Sequence, residues 1–184
     1  KVLYRRRIIR KFTGRYVRLK VINSAQITEE VKRLCIEGNL FLGKDVVDSF
    51  KQNLENEESD LGKDVLNILI ENAQIAKETK IPLCQDTGMA VFFVKVGQDV
   101  KVEGDTLTEA INKGVSLGYT DGYLRKSVVS PIHRVNTQDN TPAVIHYDMV
   151  KGDKIEIVYA PKGFGSENMS QVKMLKPSDG VEGI

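Results

Sequence analysis

Ile81-Pro82-Leu83-Cys84-Gln85-Asp86-Thr87-Gly88 sets a thiol, an amide, a carboxylate, a hydroxyl and a glycine in a row. Pro82 stops a preceding helix, because it lacks an N–H and its ring drives the residue before it out of the helical region. Gly88 permits a backbone conformation closed to other residues, just before the apolar run Met89 to Val94. The apolar period changes across this stretch, from helical spacing before it to a continuous strand-like run after it. Helices first and mixed strands later predict an α/β (α+β-like) domain, with an N-terminal helical layer packed on a mixed sheet. The reactive groups then sit on a short loop between two regular elements, where binding chemistry collects.

Cys84 has three readings: metal ligand, nucleophile or inert small apolar residue. Its polar neighbours suit a polar substrate better than an apolar pocket. A nucleophile needs a base, and the two histidines, His133 and His146, are distant in sequence. A thiolate on iron needs none, which puts metal ligation ahead of nucleophile on chemistry alone.

At 184 residues, with 41% hydrophobic and 28% charged residues, the chain has the composition of one soluble domain with a sizeable core. No apolar run approaches membrane-spanning length. Two cysteines make no disulfide framework, so a reducing, cytoplasmic setting is expected. Residues 1–20 carry nine Lys/Arg and no acid, leaving 18 of the 27 basic residues against all 25 acidic ones, a net of −7 for the rest. This leader has no continuous apolar core and does not read as a secretory signal. It is expected to be disordered or not native, with the folded body over 21–184. A basic arm that binds nucleic acid is the alternative of another class, although no repeated aromatics support single-strand recognition.

A first helix is expected from an N-cap at Thr28, with Val31, Leu34 and Cys35 on its core face and an end at Gly38-Asn39. A second is expected over 44–56, with Val46, Val47, Phe50 and Leu54 inward. The third runs from Ser59-Asp60 to about Lys80, with Val65, Leu66, Ile68, Leu69, Ala73 and Ala76 keeping the 3.6 period. After the loop come a strand over 91–96 and a helix capped by Thr106. Strands over 143–150 and 154–159 follow, with Gly152-Asp153 read as a hairpin turn between them.

Three further constellations stand out. Leu124-Arg125-Lys126-Ser127 follows a helix end, where cations suit the dipole. Arg125 could equally fork onto a carboxylate. Asn136 to Pro142 is a polar run that reads as a plain loop. His133 reads as exposed and His146 as a sheet residue. Lys162-Gly163-Phe164-Gly165-Ser166-Glu167-Asn168 follows a strand, and its two glycines let N–H groups converge on a small anion. It is not a Walker A loop.

Taken together, Pro82 to Gly88, Gly122-Tyr123-Leu124-Arg125-Lys126-Ser127, Asn140-Thr141-Pro142-Ala143 and Lys162 to Asn168 resemble the class I, iron–sulfur-dependent fumarate hydratases. The related L(+)-tartrate dehydratase alpha subunits share the pattern, over roughly 21–184. The resemblance implies a hydro-lyase of the tricarboxylic acid cycle type, interconverting fumarate and (S)-malate, or a tartrate dehydratase. It implies a [4Fe–4S] cluster on three cysteines, whose open iron is a Lewis acid toward substrate. It places the first cluster cysteine at Cys84 and dicarboxylate contacts at Gln85, Asp86, Arg125 and Gly165, with Asp86 also a candidate for proton transfer. Two further cysteine ligands are expected beyond Ile184, and the C3 base in a C-terminal domain or beta subunit. The chain therefore reads as the front part of an oligomeric alpha subunit that does not assemble the cluster alone. A cysteine-nucleophile hydrolase remains the third reading.

Overall fold

The computed structural model describes residues 7–12, 15–165 and 170–184. Two strands, β1 (Arg7–Phe12) and β2 (Arg15–Asn23), open the chain, and three helices follow: α1 (Ser24–Leu40), α2 (Lys44–Asn56) and α3 (Asp60–Thr79). Next come β3 (Met89–Gly97), β4 (Val100–Glu103), α4 (Leu107–Asp121), β5 (Val144–Val150) and β6 (Ile155–Lys162). The strands form two three-stranded mixed sheets, ordered β1-β2-β4 and β5-β3-β6. This is the expected α/β class. Strand β2 is parallel to β4 and antiparallel to β1, and it crosses the boundary expected at Val21. The basic segment thus contributes strand backbone over Arg7–Phe12 and from Arg15 onward.

The core lies between one face of the second sheet and the α1–α4 pair. Ile27, Val31 and Cys35 from α1, Ala110, Ile111, Val115 and Tyr119 from α4, and Ala90, Phe92 and Val94 from β3 are all buried there. Alternate β3 residues point inward because side chains switch faces at each step. Small residues on α4 bring the helices close: a Cβ on Gly114 would lie 2.7 Å from the Thr28 carbonyl oxygen.

Several local expectations are corrected. Asn23, whose side chain accepts from the Ala25 N–H, caps α1. Thr28 lies inside the helix, buried, and its hydroxyl donates to the Ala110 carbonyl. Helix α2 has the expected bounds but no buried residue: Val46 is exposed, and Val47, Phe50 and Leu54 are only half-buried. In α3, Ala76 alone is buried, while Val65, Ile68 and Leu69 are exposed. The two helices keep their apolar period yet pack mainly on each other.

Gly152-Asp153 does not close a hairpin. Strands β5 and β6 flank β3 on opposite sides, parallel and antiparallel to it. Their connection arches over the end of β3, where Gly97 N–H donates to the Lys154 carbonyl and Asp99 N–H to that of Gly152. A Cβ on Gly97 would lie 2.4 Å from the Gly152 carbonyl oxygen. Gly97→Ala is therefore expected to cost about 2 kcal/mol by overpacking against backbone, read as a lower urea midpoint with an unchanged slope. An unaltered midpoint would remove the arch.

Candidate functional site

The stretch from Pro82 to Gly88 is held at both ends and open in the middle. At its start, Leu83 N–H donates to the Asn39 carbonyl (2.9 Å), and Leu83 O accepts from Asn72 Nδ2 (2.7 Å). These bonds tie the loop to the end of α1 and to α3. At its finish, Tyr119 Oη donates to the carbonyls of Thr87 (2.8 Å) and Gly88 (3.3 Å). Asn140 Nδ2 also donates to Gly88 O (3.0 Å). Between these anchors Cys84 and Gln85 are exposed, Asp86 is half-buried and Thr87 is buried.

The other motifs converge on this loop. Thr87 Oγ1 donates to the Arg125 carbonyl at 3.0 Å, so the Arg125 segment is strapped alongside, with the arginine itself exposed. Asn140 Oδ1 accepts from the N–H groups of Ser127 (2.7 Å) and Val128 (3.1 Å). The run read as a plain loop thus carries a fully buried amide joining two of the motifs. From the far side, Asp86 Oδ2 accepts from Phe164 N–H (3.4 Å), while Oδ1 accepts from Gly88 N–H (3.1 Å). The Asp86 carboxylate thereby bridges its own loop and the Gly163–Phe164 turn. Gly165 follows in that turn, exposed and without a heavy atom close enough to crowd a Cβ. The Ser166 to Asn168 part of the expected anion site lies outside the described residues.

The two histidines lie elsewhere. His146 stacks on Phe93 in the exposed part of the sheet, with ring centroids 5.1 Å apart, and His133 is exposed. Cys84 Sγ donates to the Asp86 carbonyl at 3.2 Å rather than to an imidazole, which leaves the nucleophile reading without a base.

A cluster held by three thiolates can be tested against these cysteines. Cys84 is exposed at the loop tip and fits one ligand position. Cys35 does not fit, since burial in the core pushes its thiol up to about 12 and holds it protonated. Among the described residues no group of three or more His, Cys, Asp or Glu side chains could hold a metal ion. These residues do not hold such a cluster by themselves.

Beneath the loop is a polar network that sequence reasoning missed. Tyr119 Oη and Tyr159 Oη are 3.0 Å apart, and Asn39 Nδ2 donates to Tyr159 Oη at 3.0 Å. Burial raises both phenols, Tyr119 to about 12. Its members come from α1, α4 and β6, so no local spacing marked them. Among the described residues, the Ser127 hydroxyl is the one buried side-chain polar atom without a partner. No helix among the described residues is long and apolar enough to cross a membrane.

Comparison with known proteins meets the same motifs. The chain is 41% identical over 165 residues to a putative L(+)-tartrate dehydratase subunit alpha of Methanocaldococcus jannaschii, covering 86% of this chain and 58% of that protein. It is 32% identical over 163 residues to the L(+)-tartrate dehydratase subunit alpha of Escherichia coli K12, covering 86% of this chain and 54% of that one. The chain thus spans a little over half the length of these curated relatives. The fumarate hydratase (Fumerase) family model matches residues 28–184, which takes in all four converging motifs, and the chain belongs to that family.

Proposed function

We propose that this chain supplies the substrate-binding loops of an iron–sulfur hydro-lyase subunit, and that the reaction is the reversible hydration of fumarate to (S)-malate. One observation carries the reading: an exposed thiol and amide stand at the tip of a loop anchored at both ends, with the Arg125 segment strapped beside it. Cys84 would be one cluster ligand. The remaining thiolates and the C3 base would come from outside these 184 residues, in a further domain or a beta subunit, as the relatives' designation as alpha subunits suggests. Residues 21–184 would then form the front part of the hydro-lyase domain.

Each side chain has a physical task in this reading. Arg125 can pair a carboxylate through two parallel N–H donors. Gln85 can hydrogen-bond the same dicarboxylate from the loop tip, and Gly165 can offer backbone with no side chain in the way. Asp86 already accepts two backbone N–H groups. Its first task is therefore to hold the two loops together, and proton transfer would require it to release one of them. Reduced thiolates suit a cytoplasmic setting.

L(+)-tartrate dehydration is the second reading, favoured by the names of both relatives described above. The test is anaerobic assembly with the rest of the subunit and its partner, assayed on both substrates. Arg125→Ala is expected to lower kcat/KM about 100-fold by removing a charge-assisted pair. A preference for L(+)-tartrate would select the second reading, and turnover of neither substrate would sink both. The purified 184-residue chain is expected neither to hydrate fumarate nor to dehydrate L(+)-tartrate, since its second cysteine is buried in the core.

A further inference from the structure

We infer that Asn140 is a positioning residue, which with Tyr119 holds the Arg125 segment and the Cys84–Asp86 loop at one fixed separation. Asn140 is fully buried and has φ 61°. Asparagine tolerates that left-handed conformation better than most residues. Its amide is used in both directions. The oxygen takes the N–H groups of Ser127 and Val128, and the nitrogen gives to the Gly88 carbonyl. Two N–H donors on one side and a carbonyl on the other leave only one orientation of the amide that satisfies all three. Among side chains of this size that need no added proton to be neutral, the asparagine amide both accepts two bonds and donates one from the two atoms on Cγ.

The placement of this joint gives it its meaning. Ser127 is two residues from Arg125, and Gly88 is two residues from Asp86. One amide therefore spans the backbones of the segments that carry the cation and the carboxylate. Tyr119 Oη supports the same Gly88 carbonyl and the neighbouring Thr87 carbonyl, and Thr87 Oγ1 adds a second strap to Arg125 O. Groups that grip opposite ends of one small substrate must keep their spacing closely, since a misplaced group loses its hold on the substrate. This inference rests on the proposed function only for what the spaced groups bind.

The test uses the full subunit with its partner and two variants, Asn140→Asp and Tyr119→Phe. Asn140→Asp keeps the acceptor for Ser127 and Val128 and replaces the donor facing Gly88 O with a second acceptor. In the cluster-free protein, both are expected to change the iodoacetamide rate of Cys84 at least about threefold while Cys35 stays unreactive, because loop geometry alone has altered. In the assembled enzyme, KM for the dicarboxylate is expected to rise about tenfold, with kcat falling less. A merely structural role would instead reduce the folded fraction, expose Cys35 in parallel and leave the surviving enzyme with its KM unchanged. That result overturns the proposal. Tyr119→Phe, which deletes one hydroxyl and keeps the ring, decides the matter if Asn140→Asp does not accumulate: a Cys84 rate equal to the wild type overturns it. The alkylation needs no substrate. An assembly inactive on both dicarboxylates therefore removes the functional reading, while the Cys84 rate still decides the positioning role.

Discussion

Raising the pH from about 9 to about 11 is expected to remove on the order of 5 kcal/mol of unfolding free energy. Three groups under the cysteine loop carry the effect. Burial pushes the Cys35 thiol from its ordinary 9.0 up to about 12, and a hydrogen bond from Tyr159 offsets only part of it. Burial likewise raises Tyr119 from 10.0 to about 12 and holds Tyr159 well above its ordinary value. All three are neutral when protonated, so a raised value means that the folded state keeps its proton where the unfolded state has lost it. The unfolded chain then binds fewer protons, and stability falls as pH rises. Nothing is lost below the ordinary values. The loss begins near pH 9 with Cys35, and the two phenols join near pH 10.

Each group contributes about 1.4 kcal/mol per pH unit while only the unfolded state ionises. Cys35 acts over both pH units of the interval, and each tyrosine over the upper one. Urea unfolding at intervals between pH 8 and pH 11 measures the sum. Cys35→Ala should flatten the lower half of the profile, and Tyr119→Phe part of the upper half. A free energy that is level from pH 9 to 11 would mean that these groups are not shielded.

The helical half of the fold was legible because its signals are local. Gly43 and Glu57 bound α2 at the expected residues. Thr106 and Glu109 form a reciprocal capping box at the start of α4. Periodicity reports which side of a helix is apolar, not what covers it. That is why Val46 on α2 was expected inward and stands exposed. Thr28 and Asn23 are both capping residue types, and only the tertiary bond from Thr28 to Ala110 separates them.

The sheet was harder to read. A short Gly-Asp connection reverses the chain equally well in a hairpin or in an arch over a third strand, and the choice rests on β3 lying between β5 and β6. The four-residue β4 was missed because its parallel partner β2 includes part of the basic segment set aside as a leader. At the site, the exposed residues could be named from their motifs. Tyr119 could not, and Asn140 stood in its motif without a role, since their bonds to Gly88 span 31 and 52 residues and leave no local trace.

Gly88→Ala is expected to cost about 3–4 kcal/mol, the larger share from overpacking and the rest from backbone strain. Gly88 has φ +63°, a conformation in which a Cβ is strained whatever the surrounding space. The space is also taken: the added carbon would lie 2.3 Å from Lys162 O, 2.4 Å from Lys162 C and 2.7 Å from Gly163 N. All three are backbone atoms at the end of β6, so no side chain can swing away to make room. Relief requires the Cys84–Gly88 loop and the 162–164 segment to separate. Separation would break the bond from Phe164 N–H to Asp86, and it would pull Gly88 O from Asn140 and Tyr119. Gly165→Ala is the matched control, because no heavy atom lies within 4 Å of a Cβ there. It should shift the unfolding free energy by no more than about 0.5 kcal/mol. Urea midpoints of the two variants, measured side by side, test the docking of the two loops directly. Equal midpoints would mean that the loops are not in contact at Gly88. A gap beyond the roughly 1–2 kcal/mol that left-handed backbone costs by itself would put the Cys84–Gly88 loop and the 162–164 segment in one packed frame.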